Sequence, residues 1–179
     1  MAALESWWEE TAPRIEALGR PGMLYLVCEG ELVELSVERG RPTPVASRSG
    51  RRRRLGADSA LARTLRSTAT SALGLGDADP KGEPPAAVRD ALLQELRAQA
   101  ALLVRERGQL AAVVCVAALR EGGRCETPLA AVAHEVEASW QARGGERIRA
   151  ELGSALRRRR PGPTWLRRIR ARIFAPGPG

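Results

Sequence analysis

The sequence predicts a small α+β domain, and three hydrophobic patterns carry that expectation. Leu4, Trp8, Ala12, Ile15 and Leu18 recur at helical spacing. Val33, Leu35 and Val37 alternate with Glu34, Ser36 and Glu38 as in a strand. Leu110 to Leu119 is a run of ten apolar residues. With 179 residues and 44% hydrophobic content, the chain is long enough for one domain with a sizeable core. The expected compact unit covers 1–156, interrupted by a flexible basic loop at 39–57 and a Gly/Pro-rich linker at 74–85, with a basic tail at 157–179.

Taken in order, residues 3–19 form the first helix. Pro13 is expected to split it, because proline lacks the amide proton of a helical hydrogen bond, and Thr11 could cap the second piece. Pro21-Gly22 then breaks the pattern. MLYLVC and ELVELSVE, joined by Glu29-Gly30, read as a β-hairpin whose first strand is buried and whose second has one wet face. The segment from Gly40 to Gly56 mixes Pro, Ser, Gly and Arg without periodicity, which predicts a loop.

Residues 58–73 read as a helix capped by Asp58 or Ser59. After the linker, Pro84 and Pro85 lead into a long helix over 86–107, with Val88, Leu92, Leu96, Ala100 and Leu103 on one stripe. Residues 110–119 are too uniformly apolar for a surface helix. They predict a strand buried on both faces, with continuation of the preceding helix as the alternative. A further helix over 128–144 turns Leu129, Val132, Val136 and Trp140 inward, and 146–156 continues it past Gly144-Gly145. Within the tail, 164–175 reads as a basic amphipathic helix that gathers Trp165, Leu166, Ile169, Ile173 and Phe174 on one side.

Charge is the most informative feature. Arg39 to Arg54 holds seven arginines and no acid, and Arg157 to Arg172 holds eight and no acid; set against a chain total of +8, the rest is net −7. Lys81 is the only lysine and asparagine is absent, the bias of a GC-rich coding sequence. That bias accounts for arginine over lysine, but not for the exclusion of acids from both segments. Such segregation points to an acidic partner: nucleic acid, an anionic membrane or an acidic protein.

The catalytic inventory is sparse. His134 stands without donors at ligand spacing, so no metal is assigned. No G-x-S-x-G turn surrounds Ser139 or Ser154. Lys81 in GLGDADPKGE lacks the order of a phosphate loop, and no cofactor or small-molecule substrate is inferred. Cys28, Cys115 and Cys125 show no paired spacing, and no secretory pattern precedes them, as expected of free thiols in a reducing compartment. Trp8 and Trp140 fall on apolar stripes; Trp7, beside them, is expected either in the core or partly exposed as a partner anchor.

The expectation is therefore a non-enzymatic subunit or adaptor of an intracellular complex, nuclear and associated with DNA or RNA. Arg51, Arg52, Arg53 and Arg54 with Arg157, Arg158, Arg159 and Arg160 would serve as phosphate contacts or a localisation signal. No aromatic residue interleaves the first segment, which disfavours base stacking. The alternative is a membrane-associated scaffold anchored by Trp165, Leu166, Ile169, Ile173 and Phe174.

Overall fold

The computed structural model describes residues 2–38, 40–44, 54–55, 59–74, 84–120 and 128–158. They form α1 (Ala2–Leu18), β1 (Gly19–Cys28), β2 (Glu31–Glu38), β3 (Arg41–Pro44), β4 (Arg54–Leu55), α2 (Ala60–Ser67), β5 (Ala72–Gly74), α3 (Ala86–Leu96), β6 (Ala100–Glu106), β7 (Gln109–Leu119), α4 (Leu129–Ala142) and α5 (Gly145–Arg158). The strands make one sheet in the order β3-β2-β1-β7-β6-β5, with β4 also on β2, and every pairing is antiparallel. The expected α+β class is what the chain adopts.

Both faces of the sheet are covered. Ala100, Leu102 and Val104 of β6 and Ala112, Val114 and Val116 of β7 pack with α1, α4 and α5. The alternate residues Ala101, Leu103, Val113 and Cys115 pack with α2 and α3. A strand buried on both sides has no polar positions to reveal its period, which explains the uniform run at 110–119. The same burial explains a correction at β2. Its expected wet face is confined to the end of the strand: Leu32, Val33, Glu34 and Leu35 are all buried, Glu34 at 6% exposure, whereas Ser36 is half-buried and Glu38 exposed.

The long helix expected over 86–107 is also corrected. It ends at Leu96, and the remainder is β6, which pairs with β7 through a two-residue turn at Arg107-Gly108. Arg97 takes the left-handed conformation (φ 53°, ψ 44°); its amide donates to the Gln94 carbonyl, and the Ala98 amide donates to the Leu93 carbonyl. This pair of bonds is the Schellman helix stop, usually marked by glycine, and here it is carried by an arginine. The helical spacing of Ala100 and Leu103 was therefore coincidental: they point to opposite faces of the sheet.

Smaller departures follow from packing. Pro13 does not divide α1, which buries Leu4, Trp7, Trp8, Thr11, Ile15 and Leu18 along its whole length. That burial offsets the roughly 3 kcal/mol an interior proline costs. In the same turn Arg14 donates through Nη1 to the Glu10 carbonyl at 2.7 Å. β1 begins at Gly19 and runs through Pro21-Gly22, where its register against β7 shifts. The helix expected over 58–73 is α2 alone, capped by the Ser59 hydroxyl, which accepts from the Ala62 amide at 3.2 Å; β5 follows it. The loop expected over 39–57 contains β3 and β4.

The hairpin turn at Glu29-Gly30 is as expected: both residues have positive φ, 50° and 82°, which matches a two-residue hairpin to the twist of its strands. Arg107 and Gly108 repeat that geometry at 51° and 77°. The sheet edges are short. β5 has three residues, and β3 carries Pro42 and Pro44, which offer no amide to a further strand.

Candidate functional site

The sequence-derived basic residues attach to the fold at two described points. Arg54 lies in β4, with its Cα opposite Val33 of β2. Arg157 and Arg158 complete the last turn of α5. Arg51, Arg52, Arg53, Arg159 and Arg160 lie outside the described residues, as do Trp165, Leu166, Ile169, Ile173, Phe174, Lys81 and Cys125.

Four of the body's arginines pair with acids of other elements. Arg14 Nε meets Glu135 Oε2 at 2.9 Å, and Arg143 Nε meets Glu10 Oε2 at 2.8 Å, so α1 and α4 are bridged twice. Arg107 meets Glu146 at 3.0 Å, linking the β6–β7 turn to α5, and Arg149 pairs with Glu106 at the end of β6. Arg105 works differently: its guanidinium donates to the carbonyls of Thr68 and Thr70, fastening the segment after α2 to β6. Burial lowers its pKa, against the opposing charge of Glu137, whose carboxylate accepts from the Arg105 amide at 3.0 Å. Nothing in the local sequence marks Arg105 for this role, because its acceptors are backbone atoms 35 and 37 residues away.

Hydrogen bonding from Arg143 holds the Glu10 carboxyl below the ordinary 4.5, more than desolvation raises it. A folded value below the unfolded one stabilises the fold above about pH 4.5, and the contribution is lost as pH falls through the folded value. Glu10→Gln should therefore lower the melting temperature at neutral pH. The gap to the wild type should narrow as the pH falls below about 4.5, as read from melting curves on the acid side of neutrality.

An open cleft of about 300 Å³ lies between α5 and the end of β1, lined by Cys28, Glu29, Glu146, Arg149, Ala150 and Gly153. The Cys28 thiol donates to the Arg149 carbonyl at 3.7 Å. Cys115 is buried in the sheet, and desolvation pushes its thiol pKa up, the opposite of what a nucleophile requires. His134 is on the exposed face of α4, whereas Ser139 is buried on the same helix beside Glu10. Among the described residues, no group of three or more His, Cys, Asp or Glu could hold a metal ion, and no helix is long and apolar enough to cross a membrane.

Trp7 is corrected from its possible role as a partner anchor. It is fully buried, with its ring centroid 4.9 Å from that of Trp140 and 6.3 Å from that of Trp8, both contacts edge-on. Trp8 Nε1 donates to the Gly40 carbonyl at 3.0 Å, tying α1 to the β2–β3 turn. No family model matches the chain, and no curated protein or solved structure matches it.

Proposed function

We propose that this protein is a non-enzymatic subunit or adaptor of an intracellular, nuclear complex, associated with nucleic acid through its two arginine segments. One observation carries the reading: the fifteen positive charges of Arg39–Arg54 and Arg157–Arg172 are segregated in the sequence from a net acidic body in which several arginines bridge acids of other elements. Charge arranged in this way attracts phosphates by counterion release, whatever the sequence. It also suits an import signal, which is a short run of basic residues. The body supplies what an adaptor needs, a stable sheet filled on both faces.

The test replaces Arg51–Arg54 and Arg157–Arg160 with serine and follows two readouts, cellular location and recovery of partner proteins by affinity purification. The expected result is loss of nuclear accumulation with partner recovery retained. Unchanged location together with undiminished nucleic-acid binding would refute the proposal. Redistribution from a membrane fraction would instead favour the scaffold reading built on Trp165 to Phe174.

A further inference from the structure

We infer that one end of the sheet, marked by Arg20, Arg97 and Arg120, is a docking surface for an extended acidic segment of a partner protein; this rests on the adaptor reading above. Three adjacent strands bring the residues together. Gly19 of β1 stands opposite Leu119 of β7 and Arg20 opposite Ala118, and the Arg120 amide donates to the Leu18 carbonyl at 3.1 Å. Arg20 and Arg120 are therefore diagonal neighbours across one strand pair, on the order of 7–8 Å apart. On the other side of β7, the Gln99 amide donates to the Val116 carbonyl at 2.9 Å, and the Gln99 side chain accepts from the Leu119 amide at 2.7 Å. These bonds fasten the start of β6 beside the end of β7, and Arg97 lies only two residues before Gln99. With neighbouring strands about 5 Å apart, the three arginines share one end of the sheet.

Each position departs from the more stable choice. Arg97 holds a left-handed φ of 53° at a helix stop, where glycine fits without strain. Arg20 and Arg120 set like charges at neighbouring positions of one strand pair, where an opposite charge would stabilise the sheet. All three are exposed, and among the described residues their side chains engage no acid or carbonyl, unlike those of Arg14, Arg107, Arg143 and Arg149. Arg41, at the same end of the sheet, differs in standing opposite Glu38. Uncompensated charge kept at the expense of stability is the mark of a surface that serves a ligand.

Charge identifies the occupant. Exposed guanidiniums on strand ends suit carboxylates, which an arginine fork holds through two parallel hydrogen bonds. Two exposed acids stand close in the chain: Glu16, two residues before the end of α1, and Glu95, two residues before Arg97. A nucleic-acid backbone carries a charge on every unit and would meet these acids. An extended peptide instead spaces the carboxylates of one face about 7 Å apart, with neutral positions between them. Arginine is also enriched in protein interfaces, in keeping with a body that binds protein while the arginine segments contact nucleic acid.

The test uses the full chain with Arg51–Arg54 and Arg157–Arg160 changed to serine, so that those runs cannot hold the probe. The probe is a fluorescent twelve-residue peptide of alternating glutamate and serine, followed by anisotropy at low salt. This chain should bind it. Adding Arg20→Glu should weaken binding about tenfold or more, and adding Arg97→Gly about threefold. Both substitutions should hold or raise the melting temperature, because one places an acid beside Arg120 and the other relieves the left-handed strain. Loss of affinity without loss of stability is the result that a structural role for these arginines would not give. Absence of peptide binding, affinity unchanged by both substitutions, or a lowered melting temperature in both would overturn the docking surface. None of these results touches the nucleic-acid reading, whose arginine runs are absent from the chain tested. Undiminished binding of a 12-base-pair DNA duplex by that chain would count against the nucleic-acid reading, and loss of that binding on Arg20→Glu would replace the acidic segment with a phosphate backbone.

Discussion

Trp7→Ala is expected to destabilise the fold by about 4 kcal/mol, the range for emptying a fully buried tryptophan site. The side chain is enclosed between Trp8, Trp140 and the sheet, at 0% exposure, so truncation leaves a cavity that neither α1 nor α4 can close alone. Its indole nitrogen has no hydrogen-bond partner among the described residues, a burial that is itself unfavourable. Trp7→Phe removes that unpartnered donor while keeping an aromatic ring, and should lose less than half as much. Denaturant unfolding of both variants checks the pair. A surface anchor for a partner would behave otherwise, with Trp7→Ala shifting stability by no more than about 0.5 kcal/mol.

Gly145→Ala is expected to lose about 3 kcal/mol, at the upper end of overpacking changes. A methyl group on Gly145 would collide with Nε1 and Cε2 of Trp140 and stand 2.6 Å from Cδ1. That ring is fully buried against Trp7 and has nowhere to move. The neighbouring Gly144 serves a different need: its φ of 70° is left-handed, yet the nearest atom to an added Cβ is 3.9 Å away. Gly144→Ala should therefore cost only the backbone strain, about 1–2 kcal/mol. Thermal unfolding should rank the two in that order, with Gly145→Ala lowering the melting temperature by roughly 6–12 °C. The pair explains why α4 and α5 are separate helices rather than the single one their apolar spacing suggests.

The legible parts of the fold were those with one buried and one exposed face. α1 and α4 show their period because polar residues mark the solvent side, and the hairpin was marked by its Glu29-Gly30 turn. Residues 86–107 misled because β6 is buried on both faces, and because the helix stop at Arg97 uses no glycine. The strands β3 and β4 were hidden by composition: their prolines and arginines resemble a loop, and only pairing with β2 organises them. Trp7 was ambiguous because two adjacent tryptophans cannot share one stripe, yet α1 is covered on more than one side by the sheet, α4 and α5. Of the candidate site, the charge segregation was visible directly. The packing of α5 against β1 and the end of β6 was not, since it depends on contacts such as Arg149 with Glu106 and Cys28 that no local pattern encodes.

Salt dependence of duplex binding tests the central claim most directly, because it counts phosphate contacts. Each neutralised phosphate contributes about −0.9 to the slope of log K against log salt, so eight engaged arginines predict a slope near −7 for the full chain. With all eight replaced by serine, the slope should collapse to about −1 or less and binding at physiological salt should vanish. A slope that survives the replacement would place the phosphate contacts on the body and contradict the account.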